Sequence, residues 1–250
     1  MINLIVSLLI GAVSWVLTAL FFSFSVWAGV FPFFVFTIVA LIVLNRRTAK
    51  KVQAVVRKAE EMMANLPKLP SEQARTILLN KTIDQLKEAY KYKNYQFFLA
   101  QNINAQIGTI YYLQNKLKDA RPYLEHAFVQ QGVAVAMYAC ILYRENDVTG
   151  MTAAFERTLK VNKKQPLIWN LYAWCLMQLK KRDESIAVLN RCLADNPGDA
   201  ITKENLDLAK NSAKIKMRGY NEQWYQFRLE DPPMMKINQQ FDKRAMFRGR

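Results

Sequence analysis

The chain has 250 residues, room for one or two domains with a substantial core, and combines 52% hydrophobic residues with a formal charge of +15. Apolar bulk and basic charge must therefore occupy different stretches. Three isolated cysteines, Cys140, Cys175 and Cys192, form no CxxC pair, so neither a zinc site nor a redox dithiol is indicated, and the odd number of thiols fits a reducing compartment.

Residues 1–45 carry no charged side chain, and 2–44 form one apolar block. A single helix of that length would be roughly 65 Å long, about twice the hydrocarbon thickness of a bilayer. Two passes are expected: a helix near 3–24, a turn at "SVWAGVFP" (25–32) with Trp27 at the interface and Pro32 as a breaker, and a second helix ending near 44. A cleaved signal peptide is disfavoured by the length of the block and the lack of a basic start. One tilted span remains a rival.

Arg46, Arg47, Lys50, Lys51, Arg57 and Lys58 follow directly. Basic residues this close to a span stay on the cytoplasmic side, and they suit anionic headgroups. The expectation is an integral membrane protein that meets lipid through residues 1–58, with everything after 45 cytoplasmic. Net charge is +7 over 46–99, +3 over 100–165, zero over 166–199 and +5 over 200–250. The basic excess sits near the membrane and in the tail.

Residues 45–66 hold good helix formers without proline or glycine, and Pro67 and Pro70 end them. Ser71 caps a further helix whose Leu79, Ile83, Leu86 and Tyr90 share one face. No alternating strand pattern occurs, so the soluble part is expected to be all-α.

In 169–197 two helical patterns face each other across "KKRD", with small residues where two helices would cross. Trp169, Tyr172, Ala173 and Leu176, then Ser185, Leu189, Cys192 and Pro197, give one such unit. A shift of 34 residues gives Val135, Tyr138, Ala139, Leu142, Met151, Phe155 and Thr158. A further shift of 31 gives Ile107, Gly108, Tyr111, Ala120, Leu124 and Ala127. The pattern resembles the tetratricopeptide repeat family, with units near 101–131, 132–165 and 166–199. Met151 and Thr158 replace small residues in the middle copy. The more polar segment after Pro197 is expected to cap the array.

The fold expected is thus all-α: a transmembrane helical hairpin (1–45), a basic helical stem (46–100), then about three repeats in an α-solenoid with a capping helix (101–218). A basic aromatic tail (219–250) follows. The resemblance implies that the first helices of the repeats line a concave groove. Matching the pattern places Gln106, Thr109, Tyr112 and Leu113, then Met137, Cys140, Tyr143 and Arg144, then Asn170, Trp174, Met177 and Gln178 on it. Their aromatic and methionine-rich mix suits an apolar or amphipathic partner segment better than an acidic tail. In the tail, Tyr220, Trp224 and Phe227 are spaced for one helical face. That face docks on the chain's last helix, enters the groove, or meets the bilayer or a partner. The stretch 236–250 is expected to be mobile.

No catalytic motif is present, His126 is the single histidine, and neither metal nor cofactor is expected. The basic, aromatic tail motivates nucleic-acid binding, but the near-neutral repeats argue against it. The leading reading is a membrane-anchored adaptor that binds a protein or peptide partner. The alternative is a structural subunit or assembly factor of a membrane complex, held through its hairpin.

Overall fold

The computed structural model describes residues 2–21 and 26–232. The expected end of the first helix, 22–24, and the basic stretch 236–250 lie outside them. Among the described residues every regular element is helical. The chain divides into two compact units, 1–128 and 129–250.

The first unit begins with α1 (Ile2–Phe21), 20 residues or about 30 Å, the thickness of a bilayer's hydrocarbon. After a 3-10 turn at Val26–Gly29 comes α2 (Val30–Ala64), antiparallel to α1. Pro32 does not break a helix here. It lies in the first turn of α2, where its missing N–H has no intrahelical partner to lose. Nor does α2 stop near residue 44: no proline or glycine interrupts it, so the second apolar segment and the basic stem are one rod of about 52 Å.

The two helices touch along a seam of small and polar residues. Asn3, Ser7 and Gly11 are the buried residues of α1, one per turn. A Cβ on Gly11 would lie 1.9 Å from Thr37 Oγ1, so glycine is what permits this approach. At the open end Asn3 Nδ2 donates to Asn45 Oδ1 (3.0 Å) and Thr48 Oγ1 (3.1 Å).

Beyond that polar clasp, α2 offers Val52 and Ala59 to α3 (Glu72–Lys87), whose Ile83 and Leu86 join them. Ser71 Oγ caps α3 by accepting from Ala74 N. A 3-10 turn at Glu88–Tyr92 leads towards α4 (Leu99–Leu113), which adds Leu99, Ile103, Ile107 and Ile110 to the same core. The stem is therefore part of a packed helical layer. α5 (Leu117–Glu125) folds back on α4, and Leu124 approaches where Gly108 lacks a side chain.

The second unit contains two helical hairpins, α6 (Gly132–Arg144) with α7 (Val148–Leu159), and α8 (Pro166–Gln178) with α9 (Arg182–Asp195). α10 (Ala200–Lys210) follows, capped by Asp199, which accepts from Thr202 N. The chain then runs through a 3-10 turn at Arg218–Tyr220 to the short α11 (Glu222–Tyr225).

One turn geometry recurs. Asn115, Asn146, Lys180 and Ser212 each adopt a left-handed conformation directly after a helix, 31, 34 and 32 positions apart. In each, the next N–H reaches back five residues: Lys116 to Tyr111 O, Asp147 to Leu142 O, Lys181 to Leu176 O, Ala213 to Leu208 O. This is the Schellman closure, which satisfies carbonyls left over at a helix end. The first two spacings equal the shifts that align the repeats in the sequence. The fourth occurrence makes α10 end as the first helix of a repeat does.

Candidate functional site

In the first unit, α4 keeps Gln106 and Thr109 half-buried and exposes Leu113, while Tyr112 lies wholly inside the packing. In the second unit, Met137 and Cys140 are also wholly buried on α6. These three side chains belong to the interior and present nothing to a partner. Their helical spacing matches that of surface positions, but their side chains are buried. Burial also pushes the Cys175 thiol, beside Cys140, well above its ordinary range, so it stays neutral and unreactive.

Of the remaining predicted residues of the second unit, Arg144, Asn170 and Trp174 meet the segment 214–232. Tyr143 on α6 packs edge-on to Trp174 on α8, with ring centroids 6.0 Å apart. Trp174 in turn meets Trp224 at 5.3 Å, and Trp224 meets Phe227 at 6.4 Å. Trp224 and Phe227 are fully buried. The Trp224 indole N–H donates to Glu230 Oε2 at 3.1 Å, so its polar atom is satisfied. Arg144 Nη2 donates to the backbone carbonyl of Arg228. Met177 is half-buried and Gln178 is exposed.

Asn170 is the polar centre of this surface. It is fully buried, and its Nδ2 lies 2.9 Å from Pro166 O, 2.7 Å from Thr202 Oγ1 and 2.8 Å from the Tyr220 hydroxyl. Its Oδ1 accepts from Asn205 Nδ2 at 2.8 Å, and Asn205 Oδ1 accepts from Lys216 N at 2.8 Å. A side-chain amide on α8 thereby ties together α10 and the backbone that follows it. Burial raises the Tyr220 phenol far above its ordinary range, which keeps it a neutral hydrogen-bonding group at physiological pH.

The sequence reading did not include Thr202, Asn205 or Arg228. An asparagine and a threonine three residues apart in an otherwise ordinary helix were the available signal, since buried amides demand partners. Tyr220, Trp224 and Phe227 do not form one helical face as expected. Asn221 and Arg228 take positive φ angles, and only 222–225 is α-helical.

On α2, Arg46, Arg47, Lys50, Lys51, Arg57 and Lys58 are all exposed, with Arg57 paired to Glu61 at 3.1 Å. His126 is exposed as well. Among the described residues no three His, Cys, Asp or Glu side chains converge on a possible metal position.

Within the second unit, residues 167–198 match the family model of the tetratricopeptide repeat, which places one repeat on α8 and α9. No curated protein and no solved structure matches the chain. A tetratricopeptide repeat supports a role in protein–protein interaction, and such repeats are typically non-catalytic.

Proposed function

We propose that this protein is a membrane-anchored interaction scaffold. Its apolar hairpin holds helical repeats at the cytoplasmic face, and the first-helix surface of α6 and α8 receives an aromatic segment of polypeptide. The observation that carries the reading is the contact of residues 214–232 with Arg144, Asn170 and Trp174, the last of which packs on Tyr143. That surface offers an aromatic wall, a buried amide and a carbonyl-seeking guanidinium. These are the means by which a groove takes a short segment with aromatic anchors. The chain's own tail is its resident occupant, and a partner segment of similar chemistry binds by replacing it.

Three features support the anchor. α1 and the first half of α2 are long and apolar enough to cross a bilayer. The clasp of Asn3 with Asn45 and Thr48 brings both free ends of the hairpin to one level. The exposed cations of 46–58 follow immediately, which favours the cytoplasmic side.

The alternative, a subunit held through its hairpin, has less support. Gly11, the smallest residue of α1, is consumed by Thr37 within the hairpin itself. The two readings separate on exchanging residues 1–44 for an unrelated two-span anchor and comparing what co-purifies from gently solubilised membranes. The scaffold keeps its partners after the exchange and loses them with Tyr143→Ala plus Arg144→Ala. Loss on the exchange, with no effect of the double substitution, favours the hairpin-held subunit.

A further inference from the structure

The first unit carries a partly exposed aromatic patch. In "KYKNYQFF" (91–98), Tyr95 is 37% exposed and Phe97 and Phe98 are each 56% exposed. Phe98 holds a φ of 58°, a region that bulky residues rarely adopt. Its ring stacks on Phe128 at 4.9 Å and meets Phe97 at 6.5 Å, so the two phenyl groups are fixed near the surface. Water disfavours three adjacent aromatic side chains displayed this way.

Their position suggests another solvent. Ile2 N donates to Asn94 O at 2.8 Å, which ties the patch to the first residue of α1. Asn3 is clasped to Asn45 and Thr48, where α2 passes from exposed apolar residues such as Val43 to Arg46 and Arg47. The start of α1, the apolar-to-basic transition of α2 and Asn94 therefore share one level. Phe97 follows Asn94 by three residues, so it lies within about 11 Å of that level. Exposed cations lie on the same segment, Lys93 and the Glu88-paired Lys91, and at the apolar-to-basic transition of α2, Arg46 and Arg47.

We propose that residues 95–98 form a second, peripheral membrane contact, in which Tyr95, Phe97 and Phe98 enter the phospholipid interface beside the hairpin. Aromatic rings are favoured at that depth, and the neighbouring cations pair with headgroup phosphates. The inference rests on the membrane-spanning reading of α1 and α2. It adds that the first helical layer is pinned to the bilayer surface at two places.

The test uses the full chain in vesicles of phosphatidylcholine and phosphatidylglycerol, with an environment-sensitive fluorophore on single introduced cysteines. The three native cysteines are buried, and the unsubstituted protein serves as the labelling blank. Leu9→Cys reports on the middle of α1. Ala64→Cys sits 19 residues beyond Asn45 on α2, about 28 Å away, and reports on water. Phe97→Cys reports on the loop. The proposal expects blue-shifted emission at position 97 that is quenched by lipids brominated near the headgroup. Position 9 should be quenched by deeply brominated lipids, and position 64 by neither. Quenching at 9 with position 97 behaving like 64 would overturn the loop contact and leave the hairpin standing. No quenching at 9 would overturn both.

Discussion

α1 and α8 are comparably apolar helices built in opposite senses. In α8, ten of thirteen residues are buried, among them Leu171, Trp174 and Leu176. In α1 only three of twenty are, and they are Asn3, Ser7 and Gly11, whereas Leu9 and Leu17 stand more than 60% exposed. A helix in water hides its hydrocarbon, but one in lipid gains nothing by doing so. What it must hide is polarity, and close contact then depends on small residues and hydrogen bonds. The contrast teaches that two helices of similar composition can bury opposite kinds of residue, and that the outward apolar face of α1 is what the proposed membrane anchor would explain.

The contrast can be broken most forcefully from the watery side. Phe155 is fully buried and stacks on Tyr172 at 4.8 Å. Phe155→Ala should lower the stability of the repeats by about 3–5 kcal/mol, measured by denaturant unfolding followed through tryptophan fluorescence. A change under about 1 kcal/mol would mean this interior is not packed as described. Under the proposed membrane anchor, Leu9→Arg should oppose insertion by about 2.5–3.5 kcal/mol, read as loss of the carbonate-resistant membrane fraction. An unchanged fraction would place Leu9 in water.

Smaller effects sharpen the picture. Gly11→Ala forces a Cβ against Thr37, and overpacking of this kind costs about 1–3 kcal/mol. The readout is weaker energy transfer between probes on the two helices in detergent. A neutral result would show that the seam adapts. The smallest effect is electrostatic. Arg191 donates to both carboxylate oxygens of Glu156, at 2.7 and 2.8 Å, and these bonds hold its carboxyl below the ordinary range. A depressed folded value stabilises above the unfolded glutamate pKa, about 4.3, and the gain disappears as pH falls through the folded value. Because the pair is partly exposed, Glu156→Gln should cost under about 1 kcal/mol at neutral pH and nothing in acid. A cost that persists in acid would assign the loss to packing.

The helical class and the register of the repeats were legible because both are local. Gly108, Ala139 and Ala173 recur 31 and 34 positions apart, and the turns after the first helices recur with the same spacing. The candidate surface was only partly legible. Periodicity put Tyr143 and Trp174 beside Met137 and Cys140, but it does not tell which face a later segment will cover. The network around Asn170 draws on residues 32, 35 and 50 positions away, a separation that no local pattern encodes. The stem's continuity with the second apolar helix was concealed by a change of composition. Between Leu44 and Arg46 charge appears but the backbone geometry does not alter.

That uninterrupted α2 has a mechanical meaning. A glycine-rich linker would let a scaffold swivel freely over the bilayer, searching a hemisphere for its partners. Here the apolar first half of α2 and the first helical layer share a stiff shaft. Tilting or turning the hairpin would transmit torque directly to Val52 and Ala59, and so to the helices packed on them.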